Sequence, residues 1–241
     1  MMIKRSLFVI RFIILAHLFL SVQTAGAQQR DFQLRNGWQL NADLPKGFLA
    51  SVQYQYRADQ NMSHFRASYL TGLLEYKLIK NLLDLAGEYR YRTSYKSEQH
   101  RLGAGLTLKH KQGKFTGSYR LQYQKRYPYF NGGRYEPGKN PDAFWRNRLQ
   151  VKYKWKKKID IYASAEFFYK ITVKGNYPAR MRYIAGFEWE FRKRQHLNLY
   201  YLFQQQYNSA NPLRVYAIGV NYAWDLIKAG NRKKKKNGDY F

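Results

Sequence analysis

The chain has 241 residues and carries 43 lysines and arginines against 15 aspartates and glutamates, a formal charge of +28, with 18% aromatic residues. That pairing of charge with aromatic surface is rare in a soluble globular domain and fits a nucleic-acid binder or an outer-membrane barrel. The absence of cysteine excludes disulfides, thiolate chemistry, Cys-based metal sites and a lipid-modified N-terminal Cys.

At the N-terminus, "MMIKR" is basic, "FIILAHLFL" (12–20) is apolar behind the interrupting Arg11, and "AGA" (25–27) offers small residues. This order predicts a secretory signal peptide over 1–27, cleaved before Gln28. An exported protein does not meet the genome, so no nucleic-acid partner is expected. No later run approaches the roughly 18 apolar residues of a membrane-spanning helix. Any membrane crossing must be made by strands.

Period-two alternation then runs through the chain, placing alternate side chains on opposite faces. The first segment, "DFQLRNGWQLN" (31–41), is one of the two weakest, because Asn36-Gly37 offers a turn in place of mid-strand. In "GFLASVQYQYR" one face holds Phe48, Ala50, Val52, Tyr54 and Tyr56. "HFRASYLTGLLEYKL" (64–78) switches its apolar set from Phe65, Ala67 and Tyr69 to Leu70, Leu74, Tyr76 and Leu78, which predicts a bulge or bend. "LLDLAGEYRYR" (82–92), "RLGAGLTLK" (101–109) and "FTGSYRLQYQ" (115–124) alternate cleanly. So do "NRLQVKYKW" (147–155), "IDIYASAEFFY" (159–169), "MRYIAGFEWEF" (181–191), "HLNLYYLFQQQ" (196–206) and "VYAIGVNYAWDL" (215–226).

Short basic connections fall near 44–47, 79–81, 111–114, 156–158 and 192–195. Longer ones fall near 58–63, 93–99, 126–144, 171–178 and 205–212, and the Pro/Gly-rich stretch 126–144 reads as irregular. Short turns at one end and long loops at the other are the pattern of an outer-membrane barrel. Ten residues at about 3.3 Å each, tilted near 45°, match an apolar band about 25 Å tall. Aromatics gathered at strand ends, such as Tyr89, Trp155 and Trp189, suit headgroup-level girdles. The rival is a secreted β-sandwich, whose apolar faces pack on each other.

The expected fold is therefore all-β: a transmembrane antiparallel up-and-down β-barrel over 28–227, followed by a basic tail over 228–241. Eleven segments are legible, but single-chain bacterial barrels have even strand numbers, so ten or twelve strands are expected. Charge blocks such as the tail are usually solvated and disordered. Its alternative role is a tether to an anionic envelope polymer.

The polar face assigns Arg90, Arg92, Arg101, Arg120, Arg146, Arg148, Lys152, Arg180 and Arg182 to the lumen as an anion path, with Arg57, Lys109 and Lys154 on the same face. Opposing acids are Asp84, Glu88, Asp160, Glu166, Glu188 and Glu190. In a narrow barrel these charges would form a salt-bridged plug, since buried charges must be paired. In a wider barrel the positive excess would favour anions. No hydrolase, nucleotide-binding or metal motif is present, and neither cofactor nor metal is expected. Ser118, Ser164, His110 and His196 supply no spacing that selects a catalytic pair.

"GLLEYKLIKNLLDLAGEYRYR" (72–92), "NRLQVKYKW" and "FEWEFRKRQHLNLYYLFQQQ" share a grammar: a basic strand end, a polar turn, a Leu-rich return strand. Together they resemble a bacterial outer-membrane β-barrel family known only as a domain of unknown function. The resemblance implies outer-membrane residence, with lipid and the barrel insertion machinery as partners, and no catalytic residues. One departure is the C-terminus: Phe241 is aromatic, but "RKKKKNGDYF" is not an alternating strand, and "VYAIGVNYAW" is the better insertion signal. The leading expectation is a structural barrel or a small anion-preferring pore. The alternatives are a barrel enzyme acting on lipid or envelope polymer, and an envelope-binding module using the basic turns and tail.

Overall fold

The computed structural model describes residues 29–226, apart from 96, 129–141, 173–174 and 210. The expected signal peptide, the basic tail and the middle of the irregular loop lie outside the described residues.

Eleven strands follow one another: β1 (Gln29–Asp43), β2 (Phe48–Asp59), β3 (His64–Ile79), β4 (Leu83–Ser94), β5 (Ser97–Gln112) and β6 (Phe115–Pro128), then β7 (Asp142–Lys156), β8 (Ile159–Thr172), β9 (Gly175–Arg192), β10 (Gln195–Gln206) and β11 (Leu213–Asp225). Sequence neighbours pair antiparallel, and β1 meets β11 to close the barrel. That seam is parallel, from Gln29 opposite Leu213 to Asn41 opposite Asp225.

The strand number corrects the expectation of ten or twelve. All eleven segments form strands, and in an up-and-down sheet of odd number the first and last strands point the same way. Closure must then be parallel, with slanted but continuous hydrogen bonds, and no edge is left exposed. The Asn36-Gly37 pair is not a turn. Gly37 lies mid-strand between Gln55 and Asn221, and a Cβ there would sit 2.4 Å from Asn221 Oδ1. Its glycine serves close approach rather than chain reversal.

The phase change in β3 is a bulge. Arg57 pairs with Ala67 and Ala58 with Phe65, so Arg66 is the extra residue. The ring of Phe65 meets outward Tyr56, whereas Tyr69 lines the interior. One inserted residue flips the face, as the period requires.

Two predicted long loops are largely strand. β4 and β5 run to Ser94 and from Ser97, and β8 and β9 run to Thr172 and from Gly175. Thr93, Ser94, Ser97 and Glu98 are polar on both faces there, so the alternation vanishes while the ladder continues. The first and last residues of the predicted 126–144 loop are likewise strand.

Burial runs opposite to that of a water-soluble protein. Outward Trp38 and Leu149 are 60% and 57% exposed, while inward Gln33 and Gln124 are 1% and 0% exposed. A sheet closed on itself with apolar residues outside rules out the sandwich. Inside, aromatics fill the wall over glycine: a Cβ at Gly219 would overlap the Tyr200 ring at 1.9 Å, and one at Gly186 would lie 3.0 Å from Tyr162 Oη. Tyr162 Oη donates to Asn198 Oδ1 at 2.9 Å, so its polar tip is satisfied.

Candidate functional site

The lumen encloses a cavity of about 860 Å³. Barrels near eight strands are filled by their own side chains, and the bore widens with strand number. Eleven strands leave this space even with Tyr162 and Tyr200 inside.

The described residues lining it include twelve arginines, three glutamates and no lysine. Among them are Arg90, Arg92, Arg101, Arg120, Arg146, Arg148, Arg180 and Arg182, and acids Glu88 and Glu188. Lys152 lies on the same side in an ion pair with Glu188. Buried Asp84 pairs with Lys109, and Glu166, 3% exposed, is sunk among arginines in the wall. Asp160 lies opposite Glu188 and Lys154 towards the short turns. Glu190 lies opposite His196 at that same end. The lining also holds Arg35, Arg126 and seven glutamines that the sequence reading leaves out.

Two carboxylates organise most of the pairing. Glu166 accepts from Arg146 Nη2 at 2.7 Å, from Arg182 Nη1 at 3.3 Å and from Arg120 Nη2 at 3.3 Å. Glu88 binds Arg101, accepts from Gln122 Nε2 at 3.1 Å and has Arg90 Nε at 3.6 Å. Each buried acid thus carries several guanidiniums, and charge-assisted bonds of this kind are the strong ones.

Four further lining arginines bind neutral groups. Arg35 donates to Gln33 and Arg57 to Gln55, Arg92 donates to Ser97, and Arg148 bonds Gln150. Arg57 also stacks over Tyr69 at 4.1 Å. Among the described residues none of these four has a carboxylate at ion-pair distance. Buried polar atoms without a partner tell the same story. In the lumen they include the Nε of Arg35, Arg101, Arg148 and Arg180 and the amide nitrogen of Gln124, against two acceptors, Gln122 Oε1 and Asn221 Oδ1. The interior is short of acceptors. Such groups are normally satisfied, so the unmet demand is for negative or acceptor-rich partners.

Among the described residues nothing comparable is arranged for acid–base work, and neither Ser118 nor Ser164 bonds a histidine. His196 Nε2 meets Asp225 Oδ2 at 2.9 Å at the short-turn end, and Asn41 Nδ2 also donates to Asp225, which ties this pair to the β1–β11 seam.

A family model described as "Protein of unknown function (DUF2490)" matches residues 32–214. No curated protein matches the sequence. Among solved structures the barrel is similar to the NanC porin, with 11% identity, a TM-score of 0.51, and 80% of this chain and 99% of that one covered. It is also similar to the translocator domain of the autotransporter NalP from Neisseria meningitidis, with 13% identity, a TM-score of 0.46, and 71% and 73% covered. A third similar structure is OmpT of Vibrio cholerae, with 11% identity, a TM-score of 0.39, and 66% and 55% covered.

Proposed function

The chain belongs to the DUF2490 family, proteins of unknown function, and we propose that it is an integral outer-membrane barrel serving as an anion-preferring pore. The observation that carries this reading is a roomy lumen whose arginines outnumber its glutamates fourfold. The outward apolar surface supports placement in lipid: no water-soluble packing partner covers Trp38, Val52, Leu149 or Trp155 among the described residues, and exposed apolar area on this scale marks a membrane or an interface. Strands of 12 to 18 residues exceed the 9–11 or so needed to cross, so the walls project beyond the apolar band. The likeness to a porin supports the fold alone.

Inside such a wall, low dielectric focuses the field of the unpaired guanidiniums. Anions gain from that field and cations lose, as rings of Arg and Lys do in anion pores. Glu88 and Glu166 neutralise part of the charge and tie neighbouring strands together without closing the cavity. Signal-peptide cleavage, delivery to the insertion machinery and contact of the basic tail with an anionic envelope polymer belong to the same proposal.

Liposome swelling tests it. Vesicles containing the purified barrel should admit a small sugar acid faster than an amino sugar of the same size. Faster entry of the cationic sugar, or no entry of either, would overturn the pore reading.

A further inference from the structure

Phe144 and Phe168 break the rule of a polar interior: they are 3% and 2% exposed on the inward face of β7 and β8. Guanidiniums cover them. Arg126 lies over the Phe144 ring at 4.5 Å and Arg180 at 5.9 Å. Over Phe168 stand Arg146, Arg180 and Arg182, at 4.8, 4.9 and 4.9 Å. A guanidinium held against a ring by its π-cloud still has N–H groups to offer an oxyanion.

Two of these guanidiniums are already engaged. Arg146 donates to Glu166 and to Gln124 Oε1, and Arg182 donates to Glu166 and Gln204. Arg180 is different. It touches both rings, has no carboxylate at ion-pair distance among the described residues, and its Nε is buried without a partner. The Gln124 amide nitrogen is buried and unpartnered too, in a side chain 0% exposed whose oxygen Arg146 fixes. Asp142, the cross-strand neighbour of Arg126, is held by Lys170 at 2.7 Å.

The backbone is shaped for this. Phe168 pairs with Arg180 and Tyr169 with Pro178, so Ala179 is a bulge beside Arg180. Bulges re-aim the adjacent side chain, and Pro178 has no N–H for the ladder to lose.

We infer that Arg180, with Arg126, forms a fixed oxyanion site beside the Phe168 ring, taking the carboxylate or phosphate group of a solute in the lumen. The site lies in the half of the barrel away from the short basic turns. Planar N–H edges favour oxygens over chloride, because two parallel bonds match two oxygens. Access to the site rests on the pore reading, but its chemistry does not.

The test uses the folded barrel, checked by its heat-dependent gel mobility. In planar bilayers carrying chloride current, inorganic phosphate or acetate should block saturably, the more effective of the two telling phosphate esters from carboxylates as the natural class. Arg180→Gln should weaken the block roughly tenfold or more, the worth of a charged hydrogen bond. Arg180→Lys keeps the charge but not the planar fork, and should not restore the block. Full restoration by lysine, or equal block in wild type and Arg180→Gln, would overturn the site. Calorimetric titration of phosphate into detergent-held barrel separates the two claims. Arg180-dependent binding without any current would keep the site and overturn the pore, whereas current without such binding would do the reverse.

Discussion

At the scale of single residues, Glu166 is the side chain on which the lumen most depends. It holds Arg120, Arg146 and Arg182 at once. Glu166→Gln leaves three guanidiniums without their carboxylate, and breaking a buried pair costs about 3–5 kcal/mol. Its unfolding midpoint in detergent, followed by tryptophan fluorescence, should fall accordingly; an unchanged midpoint would mean that solvent or solute anions replace the carboxylate. Gly219 offers a second check. Alanine there would overlap the Tyr200 ring and should destabilise by about 1–3 kcal/mol, as overpacking does. Adding Tyr200→Ala should abolish that penalty, because contacting sites are not additive. Much at this scale was hidden in the sequence. Phe168 follows Phe167, and alternation alone does not say that the inward ring is a platform for arginine. Arg126 and Phe144 read as loop in the sequence because Pro and Gly crowd the residues between them.

At the scale of strands, alternation and facing agree where one apolar set runs unbroken, but in β3 Ala67 and Tyr69 of the apolar set lie on the inner face. Outward Tyr119 is 43% exposed, and inward Arg120 reaches Glu166. Tyr119→Arg should cost about 2–4 kcal/mol near the midplane of a bilayer. Arg120→Gln should be milder, since Glu166 keeps Arg146 and Arg182. Equal effects on folding yield into lipid vesicles would contradict the facing. What alternation could not reveal was which strands pair. A strand's pattern records its two faces and is silent about its two edges, so the parallel β1–β11 seam left no local signature. Glycine 37 misled for the same reason: it answers to Asn221 across the seam, a contact between residues 184 positions apart. Strand ends such as 93–99 were missed because a wall polar on both faces loses its period.

For the whole molecule, the excess of positive charge was legible from the start, but not its division of labour. Arginine lines the cavity, while lysine gathers at the short turns, at 46, 80, 111, 114, 157, 158 and 193. Guanidinium stays charged at any relevant pH. Anion preference should therefore persist below neutrality; a preference that fades on acidification would be incompatible with arginine as its source. Added salt should weaken it through screening. Charge alone would single out Arg90, Arg148 and Arg182 for neutralisation, yet Arg90 and Arg182 are engaged by Glu88 and Glu166. Arg35, Arg57 and Arg148 bind neutral partners instead. Changing these three to glutamine should lower selectivity while the barrel stays folded, and selectivity unchanged by the triple replacement would locate the field elsewhere.

The central claim is that the lumen conducts and prefers anions, and the reversal potential of a single reconstituted barrel across a KCl gradient tests it most directly. The predicted sign is that of chloride permeating faster than potassium. A potential of the potassium sign, or a folded and inserted barrel that passes no current, would contradict the account.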